Sequence, residues 1–382
     1  MEKKLSPKFT AIAKTLRGLE EVLASELTAL NAKKIEVTQQ TVSFEADLKL
    51  LYRANLELRT ALHILRPLFV FSAYDEEELY RKIKQYNWST WLSPEKTMAV
   101  DTVLRRSSFT HSQYFSQKVK DAVVDQLRDK FGERPSVDIR HADIRIHVFM
   151  DGQKCHVSLD SSGGSLHKRG YRLGRHEAPI NEVLAAGLLS LAGYNGQTPL
   201  IDPMCGSGTI LIEAALMATR TPPGIFRETF SFMSWPDFDK ALWNTVLKEA
   251  KARIVPLVSL IQGQDNAMSA IKAAEQNIKK AGFENRIKLH KSDFFSSAKP
   301  FEQGLLVSNP PYGERMTLDD AKVFYRQIGD TLKQQYSGYD AWILSEKEIL
   351  KELGLRPSRK IPLFNGPLDC RLSHYPLYTG SR

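Results

Sequence analysis

Cysteine is scarce in this 382-residue chain, and Cys155, Cys205 and Cys370 stand too far apart to suggest a disulfide framework. That scarcity points to a reducing compartment, and a cytoplasmic protein is expected. No apolar run approaches the roughly 18 residues that a membrane-crossing helix needs, so no membrane association is expected. The basic start, Met1-Glu-Lys-Lys4, leads into no apolar stretch, which argues against a secretion signal. The nine histidines are scattered, and no Ser-His-Asp constellation can be assembled from them. Cys155-His156 lacks partners at metal-ligand spacing, so no metal is expected. Internal repeats and low-complexity tracts are missing too.

What the chain does have is positive charge, unevenly placed. Net charge is +9, and residues 1–176 hold 29 Lys and Arg against 22 Asp and Glu. The remainder holds 24 against 22. A basic first half beside a near-neutral second half fits a polyanion-gripping module joined to an enzyme, or simply a solvated basic surface.

The opening segment reads as α+β. Phe9–Ala13 is a candidate strand, and Leu16, Leu19, Val22, Leu23, Leu27 and Leu30 recur at helical spacing. Short β-like runs follow around Ile35–Phe44, then a helical stretch over Leu48–Leu65, closed by Pro67. A second unit spans residues 68–160. In it, Ser112–Phe131 predicts a helix with Phe115, Val119, Val123 and Leu127 inward. Ile144, Ile146 and Val148 alternate as a half-buried strand does, and Asp151-Gly152 signals a hairpin into Val157 and Leu159. Residues 161–177 break the composition, with four glycines among Lys168, Arg169, Arg172 and Arg175. They read equally as a solvated linker or as a flexible strip contacting phosphates.

From residue 178 the pattern is α/β. Strands are expected at Leu200-Ile201, Ile261–Asp265, Ile287–Leu289, Leu305–Val307 and Ala341–Leu344, with two more near Ile361–Phe364 and Arg371–Tyr378. Helices over Thr209–Ala218, Ala267–Ala281 and Asp320–Tyr336 alternate with them, implying a doubly wound sheet.

Two loops carry chemistry. The first is Asp202-Pro203-Met204-Cys205-Gly206-Ser207-Gly208, between a strand and a helix. Its glycines allow tight turning and close approach to a ligand. It lacks the third glycine and nearby acid of a nicotinamide site, and the Gly-Lys-Ser/Thr of a phosphate loop. Asp202, directly after the strand, suits a ligand bearing a positive amino group. Asp265 ends the next strand and can accept from two ribose hydroxyls, or it and Asn266 can cap the following helix. Asp293 can meet an adenine amino group with Phe294 against the ring, or serve a turn. Cys205 shows no sign of activation as a nucleophile.

The second loop is Ser308-Asn309-Pro310-Pro311-Tyr312-Gly313, after an apolar strand. An exocyclic amine on a nucleobase is a poor nucleophile, because its lone pair is delocalised into the ring. The Asn309 side-chain oxygen and the Pro310 carbonyl can take its two N–H protons as hydrogen bonds and free that lone pair. Prolines 310 and 311 stiffen the loop, and Tyr312 can stack on the base. Catalysis would be positioning and electrostatics, without a covalent intermediate.

Taken together, Asp202–Thr209, Ala270–Asn277 and Asn309-Pro-Pro-Tyr-Gly-Glu-Arg315 resemble the THUMP-domain guanine-N2 RNA methyltransferases. Ser158–Arg172 resembles the stretch where that family's THUMP domain meets its catalytic domain, and the likeness covers nearly the whole chain. The resemblance implies a ferredoxin-like segment (1–67), a THUMP RNA-binding domain (68–160), a basic linker (161–177) and a Rossmann-like class I methyltransferase domain (178–382). It implies S-adenosylmethionine as cofactor, with Asp202, Met204, Gly206 and Gly208 at its methionine end, Asp265 at the ribose and Asp293 at the adenine. Residues 309–312 would meet the target base. Some members carry a second methyltransferase domain, and none is expected in this sequence, which ends at Arg382.

The cofactor-binding candidates are therefore Asp202 to Gly208, Asp265, Asn266, Asp293 and Asn309. The catalytic ones are Asn309, Pro310, Pro311 and Tyr312, and the RNA-binding ones Lys168, Arg169, Arg172 and Arg175. The expected activity is guanine-N2 methylation of structured RNA, 23S ribosomal RNA or an assembly intermediate. The rivals are an adenine-N6 DNA methyltransferase, which shares Asn-Pro-Pro-Tyr, and a non-catalytic RNA-binding or ribosome-assembly factor.

Overall fold

The structure, a computed structural model, describes residues 7–173, 179–313 and 317–378. Its first half is built on one eight-stranded sheet. The elements in order are β1 (Phe9–Lys14), α1 (Glu20–Ala29), β2 (Lys33–Thr38), β3 (Thr41–Ala46), α2 (Leu48–Glu57), β4 (His63–Ser72), α3 (Glu76–Gln85), β5 (Thr97–Arg105), α4 (Ser112–Phe131), β6 (Ser136–Val137), β7 (Ile144–Asp151) and β8 (Lys154–Asp160). The strand order is β2-β3-β1-β4-β8-β7-β5-β6.

β4 is the seam. It pairs with β1 on one side and β8 on the other, so the two N-terminal units share a ladder, and residues 67/68 fall inside a strand. The helix expected over Leu48–Leu65 ends at Glu57, and the chain re-enters the sheet at His63. Pro67 does not close a helix. It lies within β4, where the register shifts between Pro67 and Phe69, an irregularity that accommodates a residue with no N–H to give. α4 matches expectation, burying Phe115, Val119, Val123 and Leu127 against the sheet. So does the β7–β8 hairpin, turned through Gly152 at φ +60°.

The second half comprises α5 (Glu182–Leu191), β9 (Leu200–Asp202), α6 (Thr209–Ala218), α7 (Lys240–Ala252), β10 (Ile261–Asp265), α8 (Met268–Lys280), β11 (Ile287–Lys291), β12 (Gly304–Ser308), α9 (Leu318–Gln335), β13 (Tyr339–Glu346), β14 (Arg359–Asn365) and β15 (Leu368–Pro376). Its sheet runs β11-β10-β9-β12-β13-β15-β14; the first five strands are parallel, and β15 is antiparallel to β13. This is the class I methyltransferase arrangement. The order reverses between β9 and β12, and ligands of open α/β sheets bind beyond the carboxyl ends of strands at such a point. The insertion between α6 and β10 packs back on the first half, with Tyr52 of α2 stacked on Phe232 at 4.5 Å between centroids.

Residues 161–173 are not a solvated linker. Ser161, Ser162, Leu166, Arg169 and Tyr171 are all buried. Ser161 and Ser162 bond both ends of the Asn55 amide, at 2.8 Å each. Polar and glycine-rich composition disguised a strap held by hydrogen bonds. Among the described residues no helix is long and apolar enough to cross a membrane.

Candidate active site

β9 ends at Asp202, and the chain turns through Gly206 (φ +52°) and Gly208 (φ +78°) before α6 begins at Thr209. The left-handed region suits glycine, and Gly208 supplies the N-cap of α6. Three bonds hold this loop. Cys205 N–H donates to Gln264 O at 2.8 Å, Gly206 N–H to Asp265 Oδ2 at 3.0 Å, and Asn277 Nδ2 to Ser207 O at 3.0 Å. Gly263 lies beneath it. A Cβ there would sit 2.3 Å from Leu211 Cδ1 and 3.1 Å from Cys205 Sγ, so any larger residue would have to displace the side chains packed under the loop.

The loop frames a cavity of about 300 Å³ between the ends of β9 and β12. Asp202, Met204, Cys205, Gly206 and Ser207 line it on one side, Asn309 on another, and Ser269, Ala270 and Ala273 of α8 on a third. Pro179 and Ile180 close its rim. Asp202 is buried, and its Oδ1 accepts from Ser308 Oγ at 2.9 Å and Met204 N–H at 3.3 Å. Burial raises its carboxyl to about 7, overriding those two bonds, and the nearby Asp265 adds to the rise. Burial also holds the Cys205 thiol well above its usual range, which removes it as a nucleophile.

Asn309, directly after β12, lines the same cavity. Among the described residues its buried Oδ1 has no hydrogen-bond partner. A buried amide oxygen left unpaired is costly, and it marks a position that a ligand N–H would satisfy.

Other expected site residues sit differently. Asp265 does not line the cavity; its two oxygens accept from Gly206 and Ala267 N–H, tying the loop to the start of α8. Asn266 is exposed outside the cavity. Asp293 is exposed and accepts from Phe295 N–H at 3.1 Å, a turn role, while Phe294 faces inward against Tyr336 at 5.3 Å between centroids. Tyr312 does not present its ring to the cavity. It is buried, and its hydroxyl accepts from Asn365 Nδ2 at 2.8 Å and lies 3.7 Å from Cys370 Sγ. Pro311 O accepts from Tyr325 OH at 3.4 Å. Tyr312 and Pro311 therefore anchor the loop that presents Asn309.

The basic candidates divide. Lys168 is exposed. Arg169 is buried, forms an ion pair with Glu213 at 3.3 Å, and donates to Leu166 O and Arg59 O. It cannot grip RNA, because its donors join the strap to α6 and to the first half of the chain. Arg172 is committed to Glu182 at 2.8 Å and to Thr209 Oγ1 at 3.1 Å. Arg175 lies outside the described residues.

No role was read from the sequence for Ser308, which steadies Asp202, or for Asn277, which holds the glycine loop and also accepts from Leu173 N–H at 2.8 Å. Asn277 carried a signal: a buried asparagine inside a helix is a poor helix former and is kept for its hydrogen bonds.

Residues 169–374 match the RMKL-like methyltransferase domain, residues 73–160 the THUMP domain and residues 10–65 the RlmL ferredoxin-like domain. The chain belongs to the RMKL-like methyltransferase family. It is 40% identical to a Synechocystis sp. protein named "putative RNA methyltransferase", over 97% of both chains. It is 38% identical to ribosomal RNA large subunit methyltransferase K/L of Syntrophotalea carbinolica, over 97% of this chain and 53% of that one. The chain thus spans about half the length of that relative. A crystal structure described as a "putative methyltransferase complexed with SAH" superposes with a TM-score of 0.87 at 28% identity, covering 99% of this chain and all of the other.

Proposed function

We infer that this methyltransferase uses S-adenosylmethionine to methylate the exocyclic N2 amine of a guanine in structured RNA, and that the RNA is large-subunit (23S) ribosomal RNA. The carrying observation is the unpaired Asn309 Oδ1 in the cavity framed by Asp202–Ser207. The residues present fit the cofactor. The Asp202 carboxylate can take an amino group, the glycine loop leaves room for close backbone approach, and α8 supplies an apolar wall. When bound, S-adenosylmethionine supplies an electrophilic methyl group on a sulfonium.

The protein's part is to bring a planar amine to that group in the right orientation. Asn309 Oδ1 accepts one N–H of the amine, and the Pro310 carbonyl is the second acceptor. Both are neutral, so they take hydrogen bonds and do not abstract a proton beforehand. That leaves the nitrogen lone pair out of the ring system and aimed at the cavity. The nitrogen, cationic once its new N–C bond has formed, then releases one proton to water. Tyr312, held by Asn365, and Pro311, held by Tyr325, keep the acceptors from drifting. The target base must leave its stack to enter, and the THUMP and ferredoxin-like units hold the surrounding RNA. Support for RNA comes from the THUMP match and from the names of the relatives.

The deciding experiment incubates the protein with labelled cofactor and either ribosomal RNA lacking the modification or duplex DNA, followed by nucleoside analysis. N2-methylguanosine in RNA is expected. N6-methyladenine in DNA alone would replace this reading with the DNA-methylase one, and no product in either would favour an assembly factor.

A further inference from the structure

The eight-stranded sheet has a helix-covered face and an open one. In β1, Ala11 and Ala13 are buried while Ile12 and Lys14 face the other way. The ladders place Lys14 opposite His63, His147 opposite Ser158, and Phe149 opposite His156, so these side chains share the open face. Between β1, β4, β8 and β7 on that face lies a cavity of about 440 Å³, rimmed by the 38–41 turn. Among the described residues no acidic one lines it, while Lys14, Arg105, His147 and His156 do.

Lys14 is the unusual member. Its Nζ lies 3.0 Å from His147 Nε2, and burial pushes the His147 pKa down to about 3. Burial also lowers that of Lys14. The carboxylates that face this region are engaged elsewhere. Asp160 bonds His63 at 2.8 Å, Asp101 bonds Arg145 at 2.6 Å, and Asp151 bonds Arg105 and Arg106. Among the described residues, Lys14 therefore forms no ion pair, and it lines the cavity. Beside it, Phe149 and His156 stand 5.9 Å apart between centroids, with the Arg105 guanidinium 5.3 Å from the Phe149 ring.

We propose that this open-face cavity binds an unpaired nucleotide of the RNA substrate, its phosphate on Lys14 and its base against Phe149 and His156. The cation and the aromatic pair, with the nearby carboxylates already paired to other cations, match what single-stranded RNA requires: a charge for the backbone and a platform for the base. A route from there to the catalytic cavity is built into the chain. His63 neighbours Lys14, Asp160 holds His63, and the strap that follows carries His167 and Lys168 into a second groove. That groove shares Pro179 and Ile180 with the cavity of Asn309. The proposal rests on the RNA-methyltransferase reading above and adds where the RNA is held away from the target base.

The test uses the full chain, a labelled single-stranded oligoribonucleotide of mixed sequence, and unmodified ribosomal RNA. Lys14→Gln is expected to weaken oligonucleotide binding roughly tenfold and to reduce the salt dependence by about one ion. Val103→Glu, which puts a carboxylate on the exposed rim, guards against a folding artefact in Lys14→Gln and is expected to weaken binding comparably. Val258→Glu, on an exposed loop before β10, is expected to bind as wild type does. Wild-type affinity and salt slope in both Lys14→Gln and Val103→Glu would overturn the proposal, as would a wild-type protein that ignores the oligonucleotide. Failure of the underlying reading is separable, because it shows as no methyl transfer to RNA by the wild type, whatever binds.

Discussion

The Ser308 hydroxyl donates to Asp202 Oδ1 across 2.9 Å, joining the carboxyl ends of β12 and β9. One bond thereby links the residue before Asn309 to the carboxylate of the glycine loop. The two loops singled out in the sequence, 106 residues apart, meet through it.

Asp202 gives the site a pH signature. With its carboxyl raised to about 7, the ligand-free protein holds it largely protonated below neutrality. A cofactor ammonium needs the charged form, so affinity for S-adenosylhomocysteine is expected to rise with pH up to about 7 and level off above. Below that it falls by up to about tenfold per pH unit. Asp202→Asn is expected to bind weakly at every pH. The stability effect has the opposite sign. A raised folded-state pKa favours folding below the unfolded value near 3.9, and that contribution is lost as pH rises through 7. Ligand-free Asp202→Asn is therefore expected to exceed wild type in stability at pH 8, by an amount of order 4 kcal/mol, and to match it near pH 4. Calorimetric titration and denaturant melts across this range check both signs.

Asn309→Ala is expected to reduce methyl transfer about a hundredfold or more while RNA affinity stays within about twofold. Single-turnover transfer and filter binding measured on the same preparation test this. Unchanged transfer would remove Asn309 from the mechanism.

Tyr312→Phe separates anchoring from stacking. A ring that stacks on the base would tolerate the change. The buried hydroxyl instead accepts from Asn365, so its loss is expected to leave that amide unpaired and to cost about 1–3 kcal/mol of stability, with slower transfer. Restoration of stability and rate by a second change at Asn365 to an apolar residue would support the anchoring role.

Arg169 and Lys168 are neighbours with opposite expectations. Arg169→Ala strands Glu213 in the core and is expected to destabilise the fold by about 3–5 kcal/mol. Lys168→Ala is expected to leave stability unchanged and to lower RNA affinity with a shallower salt dependence. Denaturation and binding curves for both variants distinguish a structural cation from a phosphate contact.

Much of this architecture was written in local patterns. The α4 stripe and the β7 alternation were legible because each buries one face, and burial imposes its own period on neighbouring residues. Both loops were legible for a related reason. Positive φ at Gly206 and Gly208, and prolines at 310 and 311, are backbone demands that few residue types meet. Pro67 misled, because a strand can absorb a proline at an irregularity as readily as a helix can stop before it.

The amino-acid sequence by itself determined the order of elements, the glycine turn and the proline-stiffened loop, since each depends on residues close together in the chain. Only the tertiary structure decided which charges are free and which rings face the cavity. Arg169 is claimed by Glu213, Tyr312 by Asn365 and Asp265 by Gly206, partners 44 to 59 residues away. Such long-range contacts leave no period to read, and they decide whether a polar side chain serves the fold or the ligand.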